Sequence, residues 1–200
     1  MHITAQAIVC ASRPHGETAA IVRLLTESHG LIAGYVAGGR GRQLRPVLVP
    51  GNVVEAELRA RVEGQLPYAK LELITSRGPW LGEPLPAAAI GWATSLTAAA
   101  LPERHAYPPL YGALAALLDA VCHAPSARGW LPALLAYETL LLRELGYGEY
   151  APPGDGEMPA LLAAFDALGQ RLDRYPLAES RIDVMGARAM LRERLARIGS

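Results

Sequence analysis

From Ile3 to Ile74 the hydrophobic residues come in short runs, and one of these alternates strictly. Val54, Ala56, Leu58, Ala60 and Val62 fall on one side, and Glu55, Glu57, Arg59, Arg61 and Glu63 on the other. Successive side chains of a strand point to opposite faces, so this stretch predicts a half-buried strand. Four more runs read the same way: ITAQAIVCAS from Ile3, TAAIVRLLT from Thr18, GLIAGYVAG from Gly30 and YAKLELIT from Tyr68. Between them, RPHGE, ESHG, GGRGRQLRP and EGQLP supply the glycine, proline and serine chemistry of turns. Five strands within about 75 residues predict a small barrel, because closing the sheet removes its exposed edges.

After Ser76 the spacing changes from two to the three-and-four of helices, in segments rich in Ala and Leu. Helices are predicted near 86–101, 109–123, 129–146, 158–174 and 180–198, separated by LPERHAYPP, HAPSARG and GYGEYAPPGDGEMP. In the third, Leu134, Leu135, Leu141, Leu142 and Leu145 form a broad apolar stripe, and Gly146 stands where a C-cap is needed. The predicted fold class is therefore α+β and multi-domain: a five-stranded β-barrel domain over 1–79, then an α-helical domain over 80–200.

Composition adds that a core can be buried, with 51% hydrophobic residues in 200. The 19 basic and 19 acidic residues cancel, so net charge selects neither nucleic acid nor membrane. Their distribution is uneven. Up to residue 80 nine Lys or Arg face six Asp or Glu, whereas the remainder has ten against thirteen, so a polyanion meets the first part first. Cys10 and Cys122 are far apart with no CxxC, which argues against a disulfide framework and a zinc knuckle and points to a reducing cytoplasm. No signal-peptide pattern and no long apolar run is present, so neither export nor a membrane anchor is expected.

Candidate chemistry is concentrated in one place. VAGGRGRQLRPVLVPGN, beginning at Val36, sets Arg40, Arg42 and Arg45 among three glycines between two predicted strands. Such arginines are either solvated turn residues or guanidinium groups that contact phosphates beside a barrel without reading bases. Arg13, Arg23, Arg59 and Arg61 can extend that track. Tyr35 and Tyr68 are the only aromatic residues before Trp80, few for a stacking platform, so binding should lean on phosphates and be sensitive to salt. No GxSxG, P-loop, HExxH or paired-carboxylate motif is present, and the five histidines lack ligand spacing. An enzyme is not expected, and neither a cofactor nor a bound metal.

The order of segments carries a resemblance. GETAAIVRLLTESHGLIAGYVAGGRGRQLRPVLVPGNVVEAELRARVEGQLPYAKLEL, then LPERHAYPPLYGALAALLD and LLAYETLLLRELGYG, resemble the RecO family of bacterial recombination mediators over about residues 1–150. Glu17, Thr26, Gly30 and Gly39 sit where that family shows its GE…T…G…G pattern, and Glu138, Leu141, Leu142, Leu145 and Gly146 fit its helical signature. The resemblance implies that the barrel is an OB-fold and that the loop of Arg40, Arg42 and Arg45 meets the DNA backbone. It implies a non-catalytic cytoplasmic protein, nucleoid-associated during repair. Such a protein binds single- and double-stranded DNA, anneals complementary strands, and helps RecR load RecA onto DNA coated with single-stranded DNA-binding protein (SSB).

Binding of the acidic SSB C-terminal tail is the further implied property, and it needs an apolar pocket rimmed by cations. Arg143 and the arginines of the closing RIDVMGARAMLRERLARIGS, namely Arg188, Arg192 and Arg194, are the candidates for that rim. At helical spacing Met185, Ala189, Arg192 and Leu195 share one face of that segment. Many relatives place a four-cysteine zinc module or an equivalent metal-free loop after the position of Tyr150, where this chain has APPGDGEMP before its next predicted helix. Two other classes fit the residues alone: a non-specific RNA-binding barrel, and a non-catalytic adaptor whose arginines pair with protein carboxylates.

Overall fold

A computed structural model describes residues 1–62, 64–151, 156–180 and 182–198. Glu63 of the predicted β-turn, most of the APPGDG connection, and Arg181 at the start of the last predicted helix lie outside the described residues. The chain divides into two compact units. One comprises Met1–Gly82 with Leu101–Tyr111, the other Glu83–Ala100 with Gly112–Ser200.

The first unit is a closed barrel of β1 (His2–His15), β2 (Ala19–Thr26), β3 (Gly30–Val36), β4 (Val53–Arg59) and β5 (Tyr68–Thr75), in the order β1-β2-β3-β5-β4. All neighbours are antiparallel except β3 and β5, which meet in parallel at the single pair Tyr35 and Tyr68. β1 is long because it serves two partners: its first half pairs with β4 and its second with β2. A bulge at Cys10, between Val9 and Ala11, bends the strand from one partner to the other. Val9, Val22, Leu24, Ile32, Val54 and Leu58 point inward to form the core.

The alternation of β4 holds as far as Arg59 and no further, and Val62, expected on the buried face, is 66% exposed. The reason is pairing. Arg59 is opposite His2 of β1 and Tyr68 of β5, where both neighbouring strands begin, so beyond it only Ala60 still pairs, exchanging backbone bonds with Met1.

Leu101–Tyr111 is more than a connector. Arg104 donates its N–H to the carbonyl of Leu31 at 2.9 Å, and a parallel bridge joins Leu31 to Glu103. The close approach explains Gly30. It has φ +69°, and a Cβ there would lie 1.9 Å from the carbonyl oxygen of His105.

The second unit is helical, with α1 (Pro84–Ala100), α2 (Pro108–His123), α3 (Leu131–Glu144), α4 (Met158–Arg174) and α5 (Met185–Ala196). The first turn of α2 belongs to the barrel unit. α3 ends as its sequence suggests. Gly146, at φ +82°, donates to the carbonyl of Arg143 and Tyr147 to that of Leu142, at 2.9 and 2.8 Å, the paired bonds of a Schellman cap. α3 starts two residues later than predicted, at Leu131, with Pro132 in its first turn and a separate 3-10 turn over Ala127–Gly129 before it. α5 starts at Met185 rather than 180 because side chains capture the backbone there: the Ser180 hydroxyl donates to the carbonyl of Ile182, and Asp183 accepts from the N–H of Gly186.

The centre of this unit is a buried charge pair. Glu138 is fully buried and accepts from Trp92 Nε1 at 2.7 Å and from Arg188 Nη2 at 2.8 Å. Arg188, 5% exposed, also donates to the carbonyl of Phe165 and lies 3.6 Å above the centre of that ring. Burial pushes the Glu138 carboxyl above its ordinary range, and the bonds from Arg188 and Trp92 pull it back. Removing one partner strands the other charge in an apolar interior. Glu138→Ala and Arg188→Ala should each cost about 3–5 kcal/mol, while the double replacement Glu138→Leu with Arg188→Met costs clearly less than their sum. Chemical denaturation of the three variants checks this, and strictly additive losses would contradict it.

Candidate nucleic-acid interface

The loop between β3 and β4 is a built structure. Arg45 donates its N–H to Gly41, and Val47 and Leu48 donate theirs to Leu44, giving a helical turn that lowers Leu48 into the barrel core, with Leu44 and Val47 packed beside it. Asn52 holds that turn from behind. Its carboxamide donates to the carbonyls of Pro46 and Val47 at 2.8 and 3.1 Å and accepts the N–H of Arg77 at 2.8 Å. A buried amide with both donors and its oxygen engaged fixes the loop in one place.

The three loop arginines take different roles. Arg40 donates through Nη1 to the carbonyls of Gly16 and Glu17, at 3.0 and 2.9 Å, and through its own N–H to Thr18, so it fastens the loop to the β1–β2 turn. Arg45 reaches the carbonyl of Arg40 at 3.3 Å. Among the described residues both guanidinium groups have N–H groups that make no further bond. Arg42 is exposed and makes no ion pair among the described residues, which makes it the most available cation of the loop.

The strand arginines are sorted by register. Directly paired residues on neighbouring strands present their side chains to the same face. Reading across the barrel, Arg13 pairs with Ile21, Ile21 with Tyr35, Tyr35 with Tyr68, Tyr68 with Arg59 and Arg59 with His2. Every member of this row is exposed or half-buried, while Ala20, Val22, Val36, Leu58 and Ala69 beside it are buried. The row therefore runs over the outside of the barrel. Tyr35 and Tyr68 touch, with ring centres 5.1 Å apart and planes tilted by 53°, and His15 meets Tyr35 edge-on at 5.9 Å. Tyr68 also lines a groove of about 910 Å³ together with His2, Arg59, Arg61, Gln65 and Leu66.

Of the seven arginines proposed from sequence for DNA, the row and its groove bring together Arg13, Arg59 and Arg61, and the β3–β4 loop carries Arg40, Arg42 and Arg45. Arg23 stands apart, paired with Glu103 at 3.2 Å against the Leu101–Tyr111 segment. Arg59 has a carboxylate of its own. It donates to Glu57, which also accepts from His2 at 3.1 Å. The tyrosine pair as a unit, with His2 and His15 beside it, is a feature of the fold that chain order does not display. The available signal was the β5 pattern, where Tyr68 falls in phase with Lys70 and Glu72 and out of phase with Ala69 and Leu71.

The four arginines proposed for a peptide rim are not equivalent. Arg188 is the core residue described above. Arg192 grips Asp166 with both ends of its guanidinium, at 2.7 and 2.9 Å, which raises its own pKa. Arg143 is exposed beside Glu144, and Arg194 leans on the sulfur of Met190. Among the described residues no group of three or more His, Cys, Asp or Glu is placed to hold a metal, and no helix is long and apolar enough to cross a membrane.

The architecture is that of an OB-fold barrel joined in sequence to a helical domain, with a basic loop and an aromatic row on the barrel. Residues 1–77 match the family described as Recombination protein O N terminal and residues 84–149 the one described as Recombination protein O C terminal. The chain belongs to the RecO family. It is 45% identical over 150 residues to a protein of Rhodospirillum centenum, 44% over 145 to one of Caulobacter vibrioides and 42% over 150 to one of Phenylobacterium zucineum, each named DNA repair protein RecO. These alignments cover 74%, 72% and 74% of the chain and 58%, 58% and 60% of the relatives, so the chain matches less than two thirds of their length. Both family matches end before α4, so Arg188, Arg192 and Arg194 lie beyond them.

The Arg59 guanidinium, and after it His2, holds the Glu57 carboxyl below the usual carboxylate range. Glu57 thus gives up its proton more readily folded than unfolded, so its contribution to stability is complete above the unfolded value and is lost as pH falls through the depressed one. Carboxyl NMR titration should find Glu57 below an ordinary glutamate and moved upward in Arg59→Ala. An unmoved midpoint would show that the two groups do not interact in solution.

Proposed function

We propose that the barrel unit binds DNA through its phosphates, and that the protein acts in DNA repair and homologous recombination as a mediator that makes no chemical bonds. The observation that carries this reading is the set of available cations on the barrel: Arg42 on a loop fixed by Asn52, and Arg13 and Arg61 along the outer row and its groove, where Arg59 is held by Glu57. Guanidinium groups suit phosphate, and an array held at separate points along a surface follows a backbone without reading sequence. The name carried by the relatives agrees with this use.

In that setting the protein anneals complementary strands and, with RecR, helps to load RecA onto SSB-coated single-stranded DNA in the cytoplasm, at the nucleoid. The SSB tail engages the helical unit, where Arg143 and Arg194 are the cations left for it once Arg188 and Arg192 are committed to Glu138 and Asp166. Annealing of SSB-coated complementary strands with and without the protein tests the activity directly. No acceleration would defeat it.

Arg42→Ala should weaken binding of all DNA sequences alike and lower the slope of log affinity against log salt by about 0.9 for duplex and about 0.7 for single strands, one phosphate contact each. An unchanged slope with circular dichroism intact would return Arg42 to an ordinary turn. Glu57→Gln should tighten binding, because it removes a like charge from the path of the phosphates and frees Arg59. Equal or weaker binding would take Arg59 out of the track.

A further inference from the structure

We infer that the outer row of the barrel is a stacking site for unpaired bases of single-stranded DNA, with Tyr35 and Tyr68 as the stacking rings and Arg13 and Arg59 as phosphate partners on either side. The inference rests on the reading of the barrel as the DNA-binding unit and adds the side chains that meet the bases of a single strand.

Four observations carry it. First, the row is set by backbone register across all five strands, so the two tyrosines and two arginines are fixed on one line rather than gathered by flexible side chains. Second, Tyr68 is 58% exposed on a strand whose hydrophobic side chains Ala69 and Leu71 point inward, so its ring is offered to solvent rather than spent on the core. Third, the rings are tilted by 53° and not stacked in parallel, so each touches the other along an edge and the far face of the exposed Tyr68 is not taken up by its partner. A base can lie on a face left open in this way. Fourth, the groove beside Tyr68 has the lining a nucleotide needs: Leu66 as an apolar wall, Gln65 as an amide for base edges, and Arg59 and Arg61 for phosphate.

The chemistry selects against duplex. In a duplex the base faces are buried against one another and reach a protein ring only after unstacking, whereas a single strand offers each face freely. Phosphates are common to both forms. The loop arginines therefore account for binding in general, and the tyrosine row for preference. The pair has a structural task too, since it lies over the one point where β3 and β5 meet. Variants that keep the ring are accordingly part of the test.

Fluorescence anisotropy of the whole protein with three labelled ligands tests it at one salt concentration: oligothymidine of about 15 nucleotides, an abasic strand of equal length, and a duplex. Wild type should bind oligothymidine more tightly than the abasic strand by roughly 5- to 150-fold per stacked base. Tyr35→Ala with Tyr68→Ala should bring oligothymidine down to the abasic level and leave duplex binding unchanged, while Tyr35→Phe with Tyr68→Phe retains the preference. Equal wild-type affinity for oligothymidine and abasic strand would overturn the inference and leave phosphate binding standing. A preference that survives the alanine pair would remove these two tyrosines from the site. Should the alanine pair fail to fold, the wild-type comparison and the phenylalanine pair still decide. Failure of wild type to bind any of the three at low salt would overturn the DNA-binding reading itself.

Discussion

The barrel unit depends on one side chain more than on any other, Asn52. Its carboxamide joins the β3–β4 loop to the exit of β5, and its backbone carbonyl accepts the N–H of Val9 at the bulge of β1. Next to it, Gly51 donates its N–H to the carbonyl of the same Val9, and its own carbonyl accepts from Nε of Arg77. Three stretches of chain distant in sequence are thereby tied at one buried point. A hydrogen-bonded polar group in a core costs little while every bond is made and much when one is not, so such a point specifies a single geometry. The loop turn that lowers Leu48 into the core follows from it, and so does the position of the arginines.

Geometry then decides which charges are available. The barrel has its share of arginines, yet Arg23 answers Glu103, Arg59 answers Glu57, and Arg40 is fastened to the β1–β2 turn. A chain of zero formal charge cannot rely on a broad positive field to attract DNA. What it has instead is a short list of cations at set positions beside the exposed ring of Tyr68 and the half-buried ring of Tyr35. Contacts of this kind favour position over strength, and they leave room for a second source of affinity in the bases. The helical unit uses arginine differently, placing Arg188 between Phe165 and Glu138 where it serves packing and not recognition.

Much of the fold was legible because it is periodic. The five strands and five α-helices of the described residues announce themselves by spacing and by the glycines, prolines and serines between them, and Gly146 marks its cap unaided. What was not legible depends on partners remote in sequence. β4 stops at Arg59 because its neighbours begin there, although its own alternation runs on to Val62. Arg188 belongs to an arginine-rich helix and reads as surface; only Glu138, on another helix, makes it core. The loop arginines were visible as candidates, but their division into anchors and an open cation required the carbonyls of Gly16 and Glu17. Tyr35 and Tyr68 seemed too few for stacking when counted along the chain. The parallel closure of β3 on β5, which no local pattern encodes, puts them side by side.

The central claim is that a fixed loop, and not merely a basic one, makes the DNA surface. Binding of single-stranded DNA by Asn52→Ala, with every arginine retained and the far-ultraviolet circular dichroism compared with wild type, tests it most directly. Loss of the amide removes the donor to the carbonyls of Pro46 and Val47 and the acceptor of the Arg77 N–H, so the loop should loosen. The account predicts a barrel that remains β-sheeted at moderate temperature, is less stable, and binds DNA several-fold more weakly with a shallower salt dependence. Wild-type affinity and salt dependence in that variant would contradict it.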